Sequence, residues 1–449
     1  MMMPERSFPT LDMGKIRAER LLFMLTGRTE RTESRIKAPE VLAPAGDFER
    51  LEAAVRFGAD AVYLGGKAFG MRAASANFGP EELKRAVDYC HAHRVRLYLT
   101  CNTLPRNNEI DQLPAFLRSA GEAGVDALIV ADIGILMEAR RLVPEIDVHI
   151  STQAGVVNYL TANELHKLGA KRVVLARELS LEEIRGIRQN TPPELEIECF
   201  VHGAMCVSFS GRCLISQYMI HRDANRGECA QPCRWKYHLM EEKRPGQFFP
   251  VEERDGGTYL YNARDLCMIE HIPELVQAGI TSFKIEGRAK SFYYTACTAN
   301  AYRAAVDEYM KDPDSYRLPA WLREEVTKVS HRQYCTGFYF GPPEEGQCYE
   351  DGGYIRTYDV AAVVKGYGPE TGRLSVIQRN RFFEGDRLEV LAPGREPWEI
   401  TVSALENGEG ERIASANHPM EEVSFQGVEI SAGAILRKET GLPGDDLKK

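Results

Sequence analysis

The chain has 449 residues, of which 44% are hydrophobic and 27% charged, with a net charge of −9. These proportions fit a globular protein of two or three domains, and they argue against a chain coated in basic residues for nucleic-acid binding. No apolar run is long enough to span a bilayer, and residues 1–38 lack the apolar segment and cleavage site of a secretory signal. We therefore expect a cytoplasmic protein without membrane contact, in which residues 1–38 form a flexible extension.

Short β-type runs alternate with helical segments from residue 39 to residue 317. The predicted strands are Val41–Pro44, Ala61–Leu64, Val95–Cys101, Ala127–Ala131, Val148–Thr152, Arg172–Ala176, Leu195–Val201 and Ser282–Ile285. Helix-start signals lie between them, as at Ser180, which is followed three residues later by Glu183 in a capping box. Eight strands with intervening helices over about 250 residues are typical of a (β/α)₈ TIM-like barrel. A doubly wound open sheet has the same local pattern and is the alternative.

Polar or glycine residues follow the predicted strands at seven places. They are Gly65-Gly66, Asn102, Asp132, Thr152-Gln153, Arg177-Glu178, His202 and Glu286. The carboxyl ends of barrel strands converge on one face, where active sites of this architecture lie. Loops after strands are commonly polar, so each residue alone indicates little, but the seven together favour a cleft.

A long insertion, about residues 203–267, separates the seventh predicted strand from the eighth, and long structured insertions are usually functional. Residues 318–353 form a predicted connector with a helical stretch, Pro319–Lys328. Residues 354–449 are rich in β-type runs and predict a small C-terminal β-barrel domain. Its predicted strands are Tyr358–Val364, Arg373–Ile377, Asp386–Leu391, Glu399–Val402 and Glu411–Ala414.

The insertion carries five candidate metal ligands, which are Cys206, Cys213, Cys229, Cys233 and Cys267. Thiolates select zinc or iron–sulfur clusters. Structural zinc usually uses two pairs of closely spaced cysteines, and only Cys229 and Cys233 are that close. The wide and irregular spacing suits a four-iron cluster better. Zinc stays an alternative, and buried free thiols are a weaker one.

The residues from Glu198 to Ser216 resemble the signature of the collagenase-like peptidase family U32, through Glu198-x-Phe-x-x-Gly-Ala-Met-Cys206 and Gly211-x-Cys213-x-Ile-Ser216. Further segments are similar to barrel motifs of that family: Val41-Leu-Ala-Pro-Ala-Gly46, Ala61-Val-Tyr-Leu-Gly-Gly66, Ser151-Thr-Gln153 and Lys284-Ile-Glu-Gly-Arg288. The resemblance covers roughly Val41 to Met310, and the C-terminal β domain is similar to that of the longer members.

The resemblance implies a function in RNA modification rather than proteolysis, because the chain is most similar to the family's tRNA hydroxylation branch. That branch converts the wobble uridine of tRNA to 5-hydroxyuridine, linked to prephenate rather than to molecular oxygen. The implied cofactor is a 4Fe-4S cluster held by Cys206, Cys213 and Cys229. The fourth implied ligand is Cys267, with Cys233 as the alternative, because relatives use either position and this chain has both. The implied partners are tRNA and a related subunit of the same family, without DNA.

Six residues near the predicted strand ends are candidates for orienting a substrate or moving protons. They are His202, Arg177, Glu178, Glu198, Glu286 and Arg288. For RNA contact, residues 212–236 carry five Arg or Lys against two acidic residues, a local net charge of +3, and Trp235 and Tyr237 are candidates for stacking on bases. Two alternatives remain: a U32-type peptidase, although the chain lacks a Gly-x-Ser-x-Gly elbow and a His-Glu-x-x-His helix, and a structural-zinc RNA-binding protein.

Overall fold

The computed structural model describes residues 37–71, 77–206, 213–224, 228–234, 263–341 and 354–440, with two short strands at 253–254 and 257–258. The described residues from Ala38 onward belong to one compact unit. The predicted extension, residues 1–38, lies almost wholly outside these ranges and stays a prediction. Within the described ranges, no helix is long and apolar enough to cross a membrane.

Eight parallel strands close into a barrel, which confirms the predicted fold class. They are β1 (Glu40–Pro44), β2 (Ala61–Gly65), β3 (Arg96–Cys101), β4 (Ala127–Val130), β5 (Asp147–Ile150), β6 (Arg172–Val174), β7 (Glu196–Ala204) and β11 (Ser282–Ile285). Each strand pairs with its neighbour in chain order, and β11 closes the ring by pairing with both β7 and β1. This closure excludes the open sheet, because an open sheet would leave two unpaired edges.

The helices of the described ranges are α1 (Phe48–Arg56), α2 (Pro80–Ala92), α3 (Asn107–Ile110), α4 (Leu113–Ala123), α5 (Ile133–Leu142), α6 (Tyr159–Lys167), α7 (Leu181–Gln189), α8 (Ile215–Ile220), α9 (Ile272–Gln277), α10 (Phe292–Lys311) and α11 (Ala320–Thr327). Most of them follow a barrel strand, whereas α8 lies in the insertion and α11 in the connector. The predicted capping box is present at the start of α7, where the Ser180 hydroxyl accepts from the Glu183 amide and the Glu183 carboxylate accepts from the Ser180 amide.

The end of the insertion returns to the barrel as an added strand. After the short antiparallel pair β8 (Glu253–Arg254) and β9 (Gly257–Thr258), strand β10 (Asp265–Cys267) runs antiparallel to the end of β7. Strand β12 (Tyr334–Cys335) then pairs with β10. The predicted connector, residues 318–353, therefore contributes a helix and a strand to the barrel domain, while the predicted domain boundaries themselves remain predictions.

The strands of the C-terminal domain are β13 (Tyr358–Gly368), β14 (Arg373–Gln378), β15 (Phe382–Phe383), β16 (Arg387–Leu391), β17 (Trp398–Thr401), β18 (Ser403–Glu406), β19 (Ser415–Ala416), β20 (Glu422–Gln426) and β21 (Ile435–Glu439). They form a curled antiparallel sheet in the order β17-β16-β21-β13-β14-β20-β18, and β15 pairs separately with β19. Four predicted strands match. The fifth, Glu411–Ala414, is wrong, because only Arg412 forms an isolated bridge to Glu406 there.

A buried ionic cluster joins this sheet to the barrel domain. Arg437 on β21 donates two hydrogen bonds of 2.6 Å to Glu325 on α11, and both side chains are fully buried. The Arg437 Nε atom also donates to Glu389 on β16 at 2.7 Å. Lys328 binds Glu389 from the barrel side at 2.8 Å. The contact between the two domains therefore contains a fully buried charge pair, Arg437–Glu325.

Candidate functional site

A cavity of about 440 Å³ opens at the carboxyl ends of the barrel strands. Its wall combines cysteines of the insertion with polar residues from the loops after the strands. The residues that line it include Tyr63, Phe200, Cys206, Cys213, Cys229, Cys233, Arg177, Glu178, Lys284, Glu286, Arg288, Lys290 and Tyr354. A cavity of this size accepts a nucleotide or a small organic acid.

Four of the five candidate cysteines line this one cavity. Cys206 lies two residues after β7, Cys213 lies two residues before α8, and Cys229 and Cys233 lie in the described segment 228–234. The backbone amide of Ile215 lies 3.4 Å from the Cys213 sulfur as its donor, and the amide of Gln231 donates to the Cys229 sulfur at the same distance. Such N–H···S contacts stabilise the negative charge that a thiolate ligand carries.

The chemistry of this donor set fits an iron–sulfur cluster, because four soft sulfur ligands face one cavity. The thiols are not drawn together around a single ion: within the described part of the chain, no three His, Cys, Asp or Glu side chains form a metal site. A four-iron cluster separates its ligands more widely than one zinc ion does. Four thiols at one cavity supply the donor type and number that a 4Fe-4S cluster requires.

Cys267 lies elsewhere. It is on β10 opposite His202 of β7, and it does not line the cavity. Burial raises the pKa of its thiol to about 12, against smaller lowering contributions from hydrogen bonds to the Ile269 amide and to Tyr302. The structure therefore separates Cys267 from the other four candidate cysteines and leaves Cys233 among them.

Arg177 and Glu286 lie together on the cavity wall, as the strand-end pattern predicts. The Arg177 guanidinium stacks on the Phe200 ring, with Cζ 3.8 Å from the ring centroid, and donates to the Ala204 carbonyl at 2.8 Å. Its Nη2 atom lies 4.0 Å from the Glu286 carboxylate. The Tyr63 hydroxyl lies 3.5 Å from the same carboxylate. A cation, a carboxylate and a hydroxyl therefore meet within reach of one ligand.

Arg288 crosses the barrel mouth from the end of β11. It donates to Asn77 at 2.7 Å and to Thr100 at 3.2 Å, and only 4% of its surface is exposed. Gly65 makes this position available, because a Cβ atom there would lie 2.3 Å from the Arg288 guanidinium. Any larger residue at position 65 would therefore clash with the Arg288 side chain. Glu178 also lines the cavity.

Glu198 and His202 were expected beside these residues, but the structure places both off the cavity wall. Glu198 is fully buried inside the barrel and bonds Lys284 at 2.5 Å and Arg172 at 3.0 Å. Successive side chains of a strand point alternately into the barrel and out of it. The sequence alone does not show to which of these two sets Glu198 belongs.

His202 is 1% exposed and lies among aromatic rings. Its two ring nitrogens each lie 3.4 Å from a tyrosine hydroxyl, of Tyr302 and of Tyr334. Burial lowers the pKa of His202 to about 3, with smaller contributions from His331 and Lys290. Among the described residues, no serine, threonine or cysteine bonds to His202. This environment keeps the imidazole neutral and gives it no nucleophile to activate.

Sequence reasoning missed Lys284 and Lys290 as cavity residues. The signal was present for Lys284, which is the one charged residue in the buried strand Ser282–Ile285. Lys290 lies 4.2 Å from the ring centroid of Tyr354, a cavity residue that is 46% exposed. Burial lowers the pKa of Lys290. The aromatic residues Trp235 and Tyr237 of the predicted basic patch fall outside the described residues.

Comparison with known proteins identifies the family. The model of peptidase family U32 matches residues 46–348, and that of the U32 C-terminal domain matches residues 356–437. The chain is 38% identical to tRNA hydroxylation protein P1 of Bacillus subtilis over 87% of this chain and 92% of that protein. It is 35% identical to tRNA hydroxylation protein P of Escherichia coli over 84% and 91%. It is also 34% identical to a collagenase of Porphyromonas gingivalis over 67% and 73%. The chain therefore belongs to peptidase family U32 and carries the C-terminal domain of that family.

Proposed function

We propose that this protein is an RNA-modifying enzyme that hydroxylates the wobble uridine of tRNA to 5-hydroxyuridine, using an iron–sulfur cluster and a prephenate-linked reaction independent of molecular oxygen. One observation carries the proposal: four cysteines and a set of charged side chains line the same cavity at the barrel mouth. A redox-capable donor set and ligand-orienting groups therefore share one site.

The relatives support the RNA part of this proposal. Two proteins that match this chain over more than four-fifths of its length are named for tRNA hydroxylation. A fold alone carries little information on function, because one architecture serves many reactions. Here the similarity extends through both domains and includes the cysteine-rich insertion.

We propose that Cys206, Cys213 and Cys229 hold a 4Fe-4S cluster, with Cys233 as the fourth ligand on geometric grounds. Cys233 lines the cavity with the other three, whereas Cys267 is separated from them on β10. A cluster held by four cysteines would supply electron transfer. Its position beside the barrel mouth would place that chemistry next to whatever occupies the cavity.

The residues of the cavity have separate roles in this proposal. A base must leave its stack to react, so the target uridine would enter the cavity flipped out. Arg177 and Arg288 would orient it through their fixed guanidinium groups. Hydroxylation at C5 replaces a hydrogen there, and the Glu286 carboxylate, 3.5 Å from the Tyr63 hydroxyl, is placed to accept a proton.

The charge of the cavity supports an anionic co-substrate such as prephenate. Four cations line it, namely Arg177, Lys284, Arg288 and Lys290, against the carboxylates Glu178 and Glu286. An excess of cations in a concave site attracts carboxylates and phosphates. The same charge would favour the phosphates that flank a flipped nucleotide.

Peptidase activity is the second candidate, because a relative is named as a collagenase. The site gives it less support, since the buried His202 bonds only tyrosine hydroxyls among the described residues. The structural-zinc alternative would use the same cavity thiols, and metal analysis of the purified protein separates it from the cluster.

Analysis of modified nucleosides in tRNA from a deletion strain tests the proposal. We expect 5-hydroxyuridine and its derivatives to disappear from the wobble position and to return with the wild-type gene. A gene encoding Arg177→Met should not restore them, whereas one encoding the surface variant Arg141→Met should. Unchanged wobble uridine modification in the deletion strain would refute the tRNA assignment.

A further inference from the structure

We infer that Lys284 contacts the ligand of the barrel cavity, binding a carboxylate or carbonyl oxygen at the inner end, and that Glu198 is the residue that positions it. This inference rests on the proposed function, whose two reactants both carry such oxygens: the carboxylates of prephenate and the carbonyls of uracil. It assigns a role to a lysine that the sequence pattern did not single out.

The position of Lys284 is unusual for a lysine. Its side chain is 6% exposed, yet it lines the cavity. Its ammonium lies 4.6 Å from the ring centroid of Tyr63 and 5.5 Å from that of Phe200, two further cavity residues. Lysine is rarely buried unless it is paired, and a structural cation would not need access to a cavity.

Glu198 explains how the ammonium is held there. Its Oε1 atom lies 2.5 Å from the Lys284 Nζ atom, and its Oε2 atom accepts from Arg172 at 3.0 Å. Arg172 in turn donates to Glu40, at the start of β1, at 2.6 Å. Charges alternate along this buried row, so each has a partner of opposite sign. The Glu198 carboxylate therefore holds the Lys284 ammonium from inside the barrel, and Glu198 itself does not line the cavity.

The ammonium keeps donors for a ligand. It carries three protons, and the bond to Glu198 uses one of them. A charge-assisted hydrogen bond formed in a water-poor site contributes more than the same bond at a surface. Lys284 is therefore suited to bind an oxygen that carries full or partial negative charge.

Direct binding and turnover together test this assignment. Prephenate binding to the anaerobically purified holoprotein is measured by calorimetry, and kcat/KM is measured with unmodified tRNA. In Lys284→Met, we expect one of the two to fall about 10- to 100-fold, the range for a lost hydrogen bond to a charged group. A fall in prephenate affinity assigns the oxygen to a carboxylate. A fall in kcat/KM for tRNA at unchanged prephenate affinity assigns it to the base.

Three further variants separate a ligand contact from a structural role. Lys284→Arg keeps the charge and should restore most of the lost binding. Glu198→Gln should lower the same quantity as Lys284→Met, and the double variant should be no worse than Lys284→Met alone, because Glu198 acts through the lysine. Lys171→Met, at the opposite end of the barrel before β6, is the matched control. Iron content and thermal unfolding show that each variant is folded.

The inference fails if Lys284→Met is folded and both quantities stay within about twofold of wild type. The positioning role fails if the effects of Glu198→Gln and Lys284→Met simply add. Should Lys284→Met not fold, Lys284→Arg and Lys284→Gln serve the same comparison, with loss expected for glutamine only. A wild-type protein that neither binds prephenate nor hydroxylates tRNA would refute the proposed function instead.

Discussion

Glu325 of the barrel domain and Arg437 of the C-terminal sheet form a bidentate ion pair in which both side chains are fully buried. We expect Glu325→Gln to lower the free energy of unfolding by about 3–5 kcal/mol. The buried Arg437 guanidinium would lose one of its two carboxylate partners and keep only Glu389. Urea unfolding measures this. The exposed pair Lys311–Glu308 is the control, and Lys311→Met should leave the free energy of unfolding nearly unchanged, because solvent screens this pair. Equal costs for the two variants would contradict the account of the domain contact.

Arg177 is expected to act through both its charge and its planar shape, since it stacks on Phe200 and lies beside Glu286. Arg177→Lys keeps the charge but cannot stack or donate in the same geometry. We predict that it lowers kcat/KM for tRNA hydroxylation about 10- to 100-fold while the unfolding temperature stays near that of wild type. Arg141→Lys on the exposed face of α5 should leave both unchanged. Full activity in Arg177→Lys would rule out an orienting role for the guanidinium.

The buried His202 predicts a pH dependence of stability. Burial lowers its pKa to about 3 in the folded protein, whereas an exposed histidine has a pKa of about 6.5. Below about pH 6.5, His202 therefore binds a proton in the unfolded chain but not in the folded protein. The free energy of unfolding falls as pH falls for this reason. Between about pH 7.5 and about pH 5 this one group should account for about 2 kcal/mol.

The comparison with His202→Gln isolates this contribution, because the variant keeps hydrogen-bonding capacity but does not titrate. Its unfolding free energy should fall less steeply below about pH 6.5, whereas His149 and His331, whose pKa values burial also lowers, titrate in both proteins. Identical slopes for the two proteins would mean that His202 is accessible to protons when folded. Because His202 lies off the cavity, we also expect hydroxylation to persist in the variant.

The two candidates for the fourth cluster ligand predict opposite results. Cys233 lines the cavity with the other three cysteines, and Cys267 does not. We expect Cys233→Ser to lose iron and visible absorbance and Cys267→Ser to keep them, with Cys90→Ser as a control for a buried thiol. Anaerobic reconstitution followed by iron and sulfide analysis measures this. Loss of the cluster in Cys267→Ser alone would show that β10 contributes the ligand, as the resemblance to some relatives implies.

The barrel was predictable from the sequence because its signals are local. A glycine or polar residue lies at or just after the end of most buried strands, and capping residues such as Ser180 mark the helix starts. The C-terminal domain was less predictable where strands lack a distinct turn between them. Only Val402 separates β17 from β18, and the expected strand Glu411–Ala414 contributes a single isolated bridge, from Arg412 to Glu406.

The site was predictable where a residue follows a strand, as Arg177 and Glu286 do. It was not predictable where the face of a strand decides. Glu198 and Lys284 both lie within strands, and only closure of the barrel determines that the carboxylate is enclosed while the lysine lines the cavity. The place of Cys267 also depends on a long-range pairing, that of β10 with β7, for which the sequence holds no local signal.

The central claim is that the cysteines of the insertion hold an iron–sulfur cluster beside the barrel cavity. Anaerobic purification followed by a visible spectrum and by iron, sulfide and zinc analysis tests it most directly. We expect a brown protein with a broad absorbance band and about four irons and four sulfides per chain. A triple variant, Cys206→Ser, Cys213→Ser and Cys229→Ser, should be colourless. A wild-type protein that contains zinc, or that takes up no iron on reconstitution, would contradict the claim.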